Sequence, residues 1–121
     1  EEMENNLEDK WKEVLALAET HIGEKPDIPA LLFLIGVQEV GKFGKKFTKD
    51  QKLDVMHVAI CTLLSQYGFY EYNGHDEEGW PHFTETEKLP KMDALQQSKL
   101  MREAIVDYFF GRENEEGKLT I

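Results

Sequence analysis

The strongest constraint on the fold is a short segment in which nearly every residue is apolar. The longest uninterrupted apolar run covers residues 30–35, and Gly36 and Val37 follow it. Because Pro29 suits the first turn of a helix, the segment predicts a helix from residue 29 to about residue 40 or 41. A helix without a polar face is buried on several sides, and Gly36 would let a neighbouring helix approach closely. A membrane span needs about 20 apolar residues, so we expect this helix at the centre of a small domain or at a subunit interface.

Three further helices and a hairpin are predicted around this segment. Apolar periodicity predicts helices over residues 7–22, 49–65 and 94–110, and capping boxes begin the last two at Thr48 and Asp93. Aromatic residues favour two strands, over residues 69–72 and 80–86, joined by an acidic tip. The sequence therefore predicts a mainly α fold, a small helical domain of about four helices with one β-hairpin between the third and last helix. We expect a single domain over residues 1–121, with an ordered core over about 7–110 and a loose tail over 111–121.

The third helix and the hairpin carry the residues that could bind a metal ion. The predicted buried stripe of the third helix consists of Leu53, Met56, His57, Ile60, Cys61 and Leu64. His57 and Cys61 could share a metal ion, with Asp54 as a further ligand, but their place in the stripe favours a buried, hydrogen-bonded structural histidine. His75 and His82 flank carboxylates that could also bind a divalent ion, although an acidic, solvated hairpin tip is the better explanation. The sequence predicts no metal and no cofactor.

Residues 41–53 form a basic segment in an acidic chain. The net charge is −10, from 14 basic and 24 acidic residues. The basic segment has one acidic residue, Asp50, and five lysines, which are Lys42, Lys45, Lys46, Lys49 and Lys52. These lysines are predicted to recognise an acidic partner, while the overall charge argues against binding to nucleic acid or to an anionic membrane.

An aromatic cluster in the hairpin is the second candidate binding surface. Tyr70 and Tyr72 share one face of the first strand at period-two spacing, and Trp80 begins the second strand. Core packing accounts for most of the aromatic residues, and a face that remains exposed would bind protein rather than nucleic acid. The predicted binding residues are therefore these three aromatic residues and the five lysines.

No group of residues places a nucleophile, a base and oxyanion donors together, so the sequence gives no reason to expect an enzyme. We expect a non-catalytic protein-interaction or assembly module, and a homodimer that buries residues 31–37 would satisfy the apolar helix. The alternative is a winged-helix-like nucleic-acid-binding regulator, with residues 49–65 as the recognition helix and the hairpin as the wing. A single cysteine and an acidic first segment, the reverse of a signal peptide, predict a cytoplasmic protein.

Four stretches resemble a family of small bacterial proteins of unknown function. They are PALLFLIGVQE at residues 29–39, KDQKLDVMHVA at 49–59, YGFYE at 67–71 and GWPHF at 79–83. The resemblance covers most of residues 7–110. It implies a bacterial, cytoplasmic source and assigns no site residue.

Overall fold

The computed structural model describes residues 2–41 and 46–111, with the side chains of residues 2–5 excepted. The elements follow the order α1 (Glu2–Ile22), α2 (Ile28–Val40), α3 (Lys49–Ser65), β1 (Tyr70–His75), β2 (Pro81–Glu85) and α4 (Ala94–Phe110). The predicted fold, mainly α with one hairpin between the third and last helix, is confirmed. The predicted loose tail lies outside the described residues from position 112 onward.

Two helices begin at the capping boxes that the sequence predicts. At the start of α3, the Gln51 backbone N–H donates to the Thr48 hydroxyl at 3.1 Å, and the Thr48 N–H donates to the Gln51 side chain at 2.9 Å. Asp93 and Gln96 make the same reciprocal pair at the start of α4. Each box satisfies two backbone N–H groups that a helix start leaves unpaired, and this fixes where the chain enters the helix.

The described residues form two compact units. The single domain expected from the sequence stays a prediction. The first unit comprises the described parts of residues 1–27 and 92–121, in which α1 packs against α4. The Arg102 guanidinium lies 4.9 Å from the centre of the Trp11 ring, and the Lys10 ammonium lies 5.1 Å from the centre of the Phe110 ring. The second unit comprises the described parts of residues 28–91 and contains α2, α3 and the hairpin.

The apolar helix α2 is buried, as its sequence predicts. Its buried residues are Leu31, Leu32, Ile35, Gly36, Val37 and Val40. A side-chain carbon built at Gly36 would overlap the Val55 carbonyl oxygen and lie 2.6 Å from a Val55 methyl carbon, so only glycine allows α2 to pack this closely on α3. Most of residues 31–37 are buried within one chain, and the homodimer stays a prediction.

The side of α3 that is buried differs from the prediction. Its most deeply buried apolar residues include Val55, Ala59 and Leu63, none of which belongs to the predicted stripe. Leu53, predicted to be buried, is 62% exposed, and His57 is exposed as well. The helix has apolar residues on several sides, so two different stripes of it could be buried. The contact with α2 at Val55 buries the stripe that contains Val55, whereas the periodicity predicted the other one. Of the predicted stripe, Cys61 and Leu64 are buried and Met56 and Ile60 are half-buried.

The hairpin is antiparallel and packs against α3. Tyr70 pairs with Glu85 and Tyr72 with Phe83, and an irregularity follows before His75 pairs with Pro81. The first strand runs to His75, three residues beyond the prediction, so the tip is shorter than predicted. The Asp76 N–H donates to the Trp80 carbonyl at 2.9 Å and closes this tip.

Candidate functional site

A cleft of about 420 Å³ lies between one side of α3 and the end of the hairpin, within the second unit. This volume is in the range of sites that hold a small molecule or a side chain of a partner. From α3 the cleft is lined by Gln51, Asp54, His57, Val58 and Cys61. From the hairpin it is lined by Asp76, Glu78, Trp80, Pro81, His82 and Phe83.

Asp76 organises the hairpin side of the cleft. One carboxylate oxygen accepts the backbone N–H groups of Glu78 at 2.9 Å and Trp80 at 3.0 Å. The other oxygen lies 2.8 Å from the Nε2 atom of His82. The hydrogen bond to His82, followed by the one to the Trp80 N–H, lowers the pKa of Asp76 below its ordinary value. Asp76 is therefore ionised at neutral pH, and it fixes both the shape of the tip and the position of the imidazole.

His57 and Cys61 form the polar part of the helical wall. They lie one turn apart on α3, with 3.5 Å between the Nε2 and Sγ atoms. Cys61 is only 1% exposed, and burial raises the pKa of its thiol from 9.0 to about 11. The sulfur is therefore a protonated thiol at neutral pH, while the exposed His57 ring is open to solvent.

Two other carboxylates of the cleft, those of Asp54 and Glu78, have no partner among the described residues, in which their side chains make no hydrogen bond and no ion pair. The described residues that line the cleft include three carboxylates and neither lysine nor arginine. An excess of carboxylates at a cleft favours a cationic group.

A row of aromatic rings holds Trp80 in place. Phe47, just before α3, makes an edge-to-face contact with Phe33 of α2 at 6.0 Å between ring centres. Its ring makes a second edge-to-face contact with Trp80 at 6.3 Å. The half-buried indole thus packs against Phe47, which itself packs against Phe33 of α2.

The predicted binding residues fall in different places. Trp80 lines the cleft, whereas Tyr70 and Tyr72 do not. Tyr72, 51% exposed, contacts the rings of Phe83 and His75, and the Tyr70 hydroxyl lies 3.5 Å from Glu85. Lys46, Lys49 and Lys52 are exposed outside the cleft. Lys42 and Lys45 lie outside the described residues.

The structure joins the two groups that the sequence offered as separate metal sites. Asp54, His57 and Cys61 from the helix face Asp76 and His82 from the hairpin across one cleft. His75 stays outside, hydrogen-bonded to the Tyr72 hydroxyl. Among the described residues, no group of three or more histidine, cysteine, aspartate or glutamate side chains is close enough to hold a metal ion. The described cleft thus brings carboxylates and two imidazoles to one surface.

Comparison of the chain with known proteins identifies no relative. No protein-family model, no curated protein and no solved structure matches the chain. Among the described helices, none is long and apolar enough to cross a membrane.

Proposed function

We propose that this protein is a non-catalytic protein-interaction module that binds a lysine or arginine side chain of a partner segment in the cleft between α3 and the hairpin. One observation carries the proposal. Among the described residues, the carboxylates of Asp54 and Glu78 have no partner and line the same cleft as the Trp80 indole, and neither lysine nor arginine lines it with them.

Each part of a basic side chain has a counterpart in this cleft. Carboxylates accept charge-assisted hydrogen bonds from an ammonium or guanidinium group, and these are stronger than bonds between neutral groups. The face of an indole attracts a cation that lies within about 6 Å of it. Val58, Pro81 and Phe83 give the cleft an apolar wall against which the methylene groups of a lysine or arginine can pack.

The protonated thiol of Cys61 favours a binding role for the cleft over nucleophilic catalysis. A cysteine attacks as the thiolate, and catalytic cysteines have a lowered pKa and an accessible sulfur. Cys61 has a raised pKa of about 11 and is almost fully buried. His57 lies near enough to contact the sulfur, but it does not offset the effect of burial on the thiol.

The order of helices and hairpin also agrees with the winged-helix alternative, but the surface charge argues against it. A recognition helix and a wing contact phosphates through basic side chains. Here the exposed Lys49 and Lys52 of α3 are offset by the exposed Asp50 and Asp54, and Asp76, Glu77 and Glu78 are exposed at the hairpin tip. A partner protein with basic side chains fits this surface better than a polyanion does.

The proposal is tested with small probes by NMR. We would titrate the protein with Nα-acetyl-lysine amide, Nα-acetyl-arginine amide and the neutral Nα-acetyl-norleucine amide, and follow the Trp80 indole and the His57 and His82 ring signals. We expect the two cationic probes to shift these signals and the neutral probe to leave them unchanged. A short peptide with several lysines should bind more tightly, because neighbouring side chains add contacts at the cleft rim.

Two charge-neutralising variants give the matched comparison. Asp54→Asn combined with Glu78→Gln should weaken binding of the cationic probes about tenfold or more, which corresponds to about 1.4 kcal/mol. Glu77→Gln removes a charge from the same tip at a residue that does not line the cleft, and should leave binding unchanged. Equal binding of the cationic and neutral probes, or equal losses in the two variants, would show that the cleft does not recognise cations.

A further inference from the structure

The described lysines of the basic segment do not line the proposed site, and they are accessible. Lys46, Lys49 and Lys52 are exposed, and within the described residues none of them has an ion pair. Lys52 and Asp54 are two residues apart on α3, about 200° around the helix axis, so this lysine and the cleft lie on different sides of the helix. None of these three lysines lines the acidic cleft of its own chain.

An exposed leucine gives the basic surface an apolar centre. Leu53 follows Lys49 by one helical turn and is adjacent to Lys52, and it is 62% exposed. Large apolar side chains that remain exposed beside charges of one sign are typical of a surface that meets a partner. Together, Lys46, Lys49, Lys52 and Leu53 form what we call the basic face of the second unit.

The cleft and the basic face are complementary in two respects. The described lining of the cleft has three carboxylates and neither lysine nor arginine, while the basic face has three lysines. The cleft also has an apolar wall, and the basic face has Leu53 and the methylene groups of its lysines. Charge and apolar surface thus match between two parts of the same unit, on different sides of α3.

We infer that the basic face of one copy docks into the cleft of a second copy. The inference rests on the proposed function, since it names a second copy of this chain as the partner that supplies the cationic side chains. The two surfaces differ, so the contact is heterologous and leaves each copy with one unused surface. Such contacts build rings or open chains rather than closed twofold dimers.

Two complementary variants test this docking directly. The first, Lys46→Gln/Lys49→Gln/Lys52→Gln, keeps the cleft and loses the basic face. The second, Asp54→Asn/Glu78→Gln, keeps the basic face and neutralises the cleft. In sedimentation equilibrium we expect the parent protein to increase in average mass with concentration, and each variant alone to remain at the 14.1 kDa of one chain. An equimolar mixture should form a one-to-one complex of twice that mass and nothing larger, because each complex has one functional contact.

The control variant is Lys12→Gln/Lys25→Gln/Lys91→Gln, which removes the same charge from exposed lysines outside the basic face. It should associate as the parent does, and far-ultraviolet circular dichroism should show that every variant is folded. If the parent and the mixture both remain monomeric, or if the first variant associates as the parent does, the inference is wrong. If the cleft still binds Nα-acetyl-lysine amide in that case, the proposed function stands and only the second copy is excluded as its partner. If the protein neither self-associates nor binds Nα-acetyl-lysine amide, both proposals are wrong.

Discussion

The two helices of the second unit, α2 and α3, pack against each other but have different roles. Six of the 13 residues of α2 are buried, and Gly36 brings its backbone close to α3 at Val55. In contrast, α3 contacts α2 with one side, lines the cleft with another and exposes Leu53 and its lysines on a third. In this unit α2 is therefore mainly a packing element, while α3 carries both of the surfaces that we propose for binding.

The same substitution on the two helices gives the most direct test of this separation. Leu31 is fully buried on α2, and Leu31→Ala should lower the free energy of unfolding by about 2–5 kcal/mol, because it removes apolar contacts and leaves a cavity. Leu53 is mostly exposed on α3, and Leu53→Ala should change it by about 0.5 kcal/mol or less. Urea unfolding followed by circular dichroism measures both. Equal losses would contradict the assignment of different roles.

The close approach of the two helices gives the second prediction. Gly36→Ala improves helix propensity by about 1 kcal/mol, but the new methyl group would overlap the Val55 backbone and side chain. The overlap forces the helices apart, and we expect a net loss of about 1–3 kcal/mol in the free energy of unfolding. Gly41→Ala is the control, since no atom of the described residues lies within 4 Å of its added carbon and the cost expected from them is that of a positive φ angle of 76°. A Gly36→Ala protein that is more stable than the parent would exclude the close contact.

These two helices also show how far the sequence could predict the molecule. The burial of α2 was predictable because its apolar residues surround the helix, so any packing direction buries them. The buried side of α3 was not predictable, because Val55 and Leu53 belong to two different apolar stripes of the helix. Only the tertiary contact with α2 determines that the stripe with Val55 is the buried one. The cleft was not predictable for a related reason. Its residues were recognisable as polar groups, but their meeting depends on how the hairpin packs against α3, which no local spacing encodes.

A buried hydroxyl on α3 gives a smaller expected effect of opposite sign. The Thr62 hydroxyl oxygen is buried and has no hydrogen-bond partner among the described residues. Thr62→Val keeps the shape of the side chain and removes the unpaired polar atom, so we expect the free energy of unfolding to rise by about 1 kcal/mol. Thr20→Val on α1 is the matched control, because the exposed Thr20 hydroxyl donates to the Leu17 carbonyl at 2.6 Å. The control Thr20→Val should be as stable as the parent or slightly less stable. A loss of stability in Thr62→Val would indicate that the Thr62 hydroxyl is paired.

The smallest effect is expected at the hairpin tip, where Asp76 is exposed to solvent. Hydrogen bonds from His82 and from the Trp80 N–H lower the pKa of Asp76 in the folded chain. A lowered pKa means that the ionised carboxylate stabilises the fold at pH values above the pKa of the unfolded chain. This contribution is lost as the pH falls through the pKa of the folded chain. Asp76→Asn keeps an oxygen for the Glu78 and Trp80 N–H groups and removes the charge that holds His82.

We therefore expect the parent to unfold at a higher urea concentration than Asp76→Asn at pH 7, and the difference to shrink as the pH falls through the pKa of Asp76 in the folded chain. Glu77→Gln removes a charge from the same tip without any of these hydrogen bonds, so it should not reproduce the loss. A difference between the parent and Asp76→Asn that stays constant down to a pH at which Asp76 is protonated would show that Asp76 acts through its shape alone. In that case the position of the His82 imidazole would not depend on a charged partner.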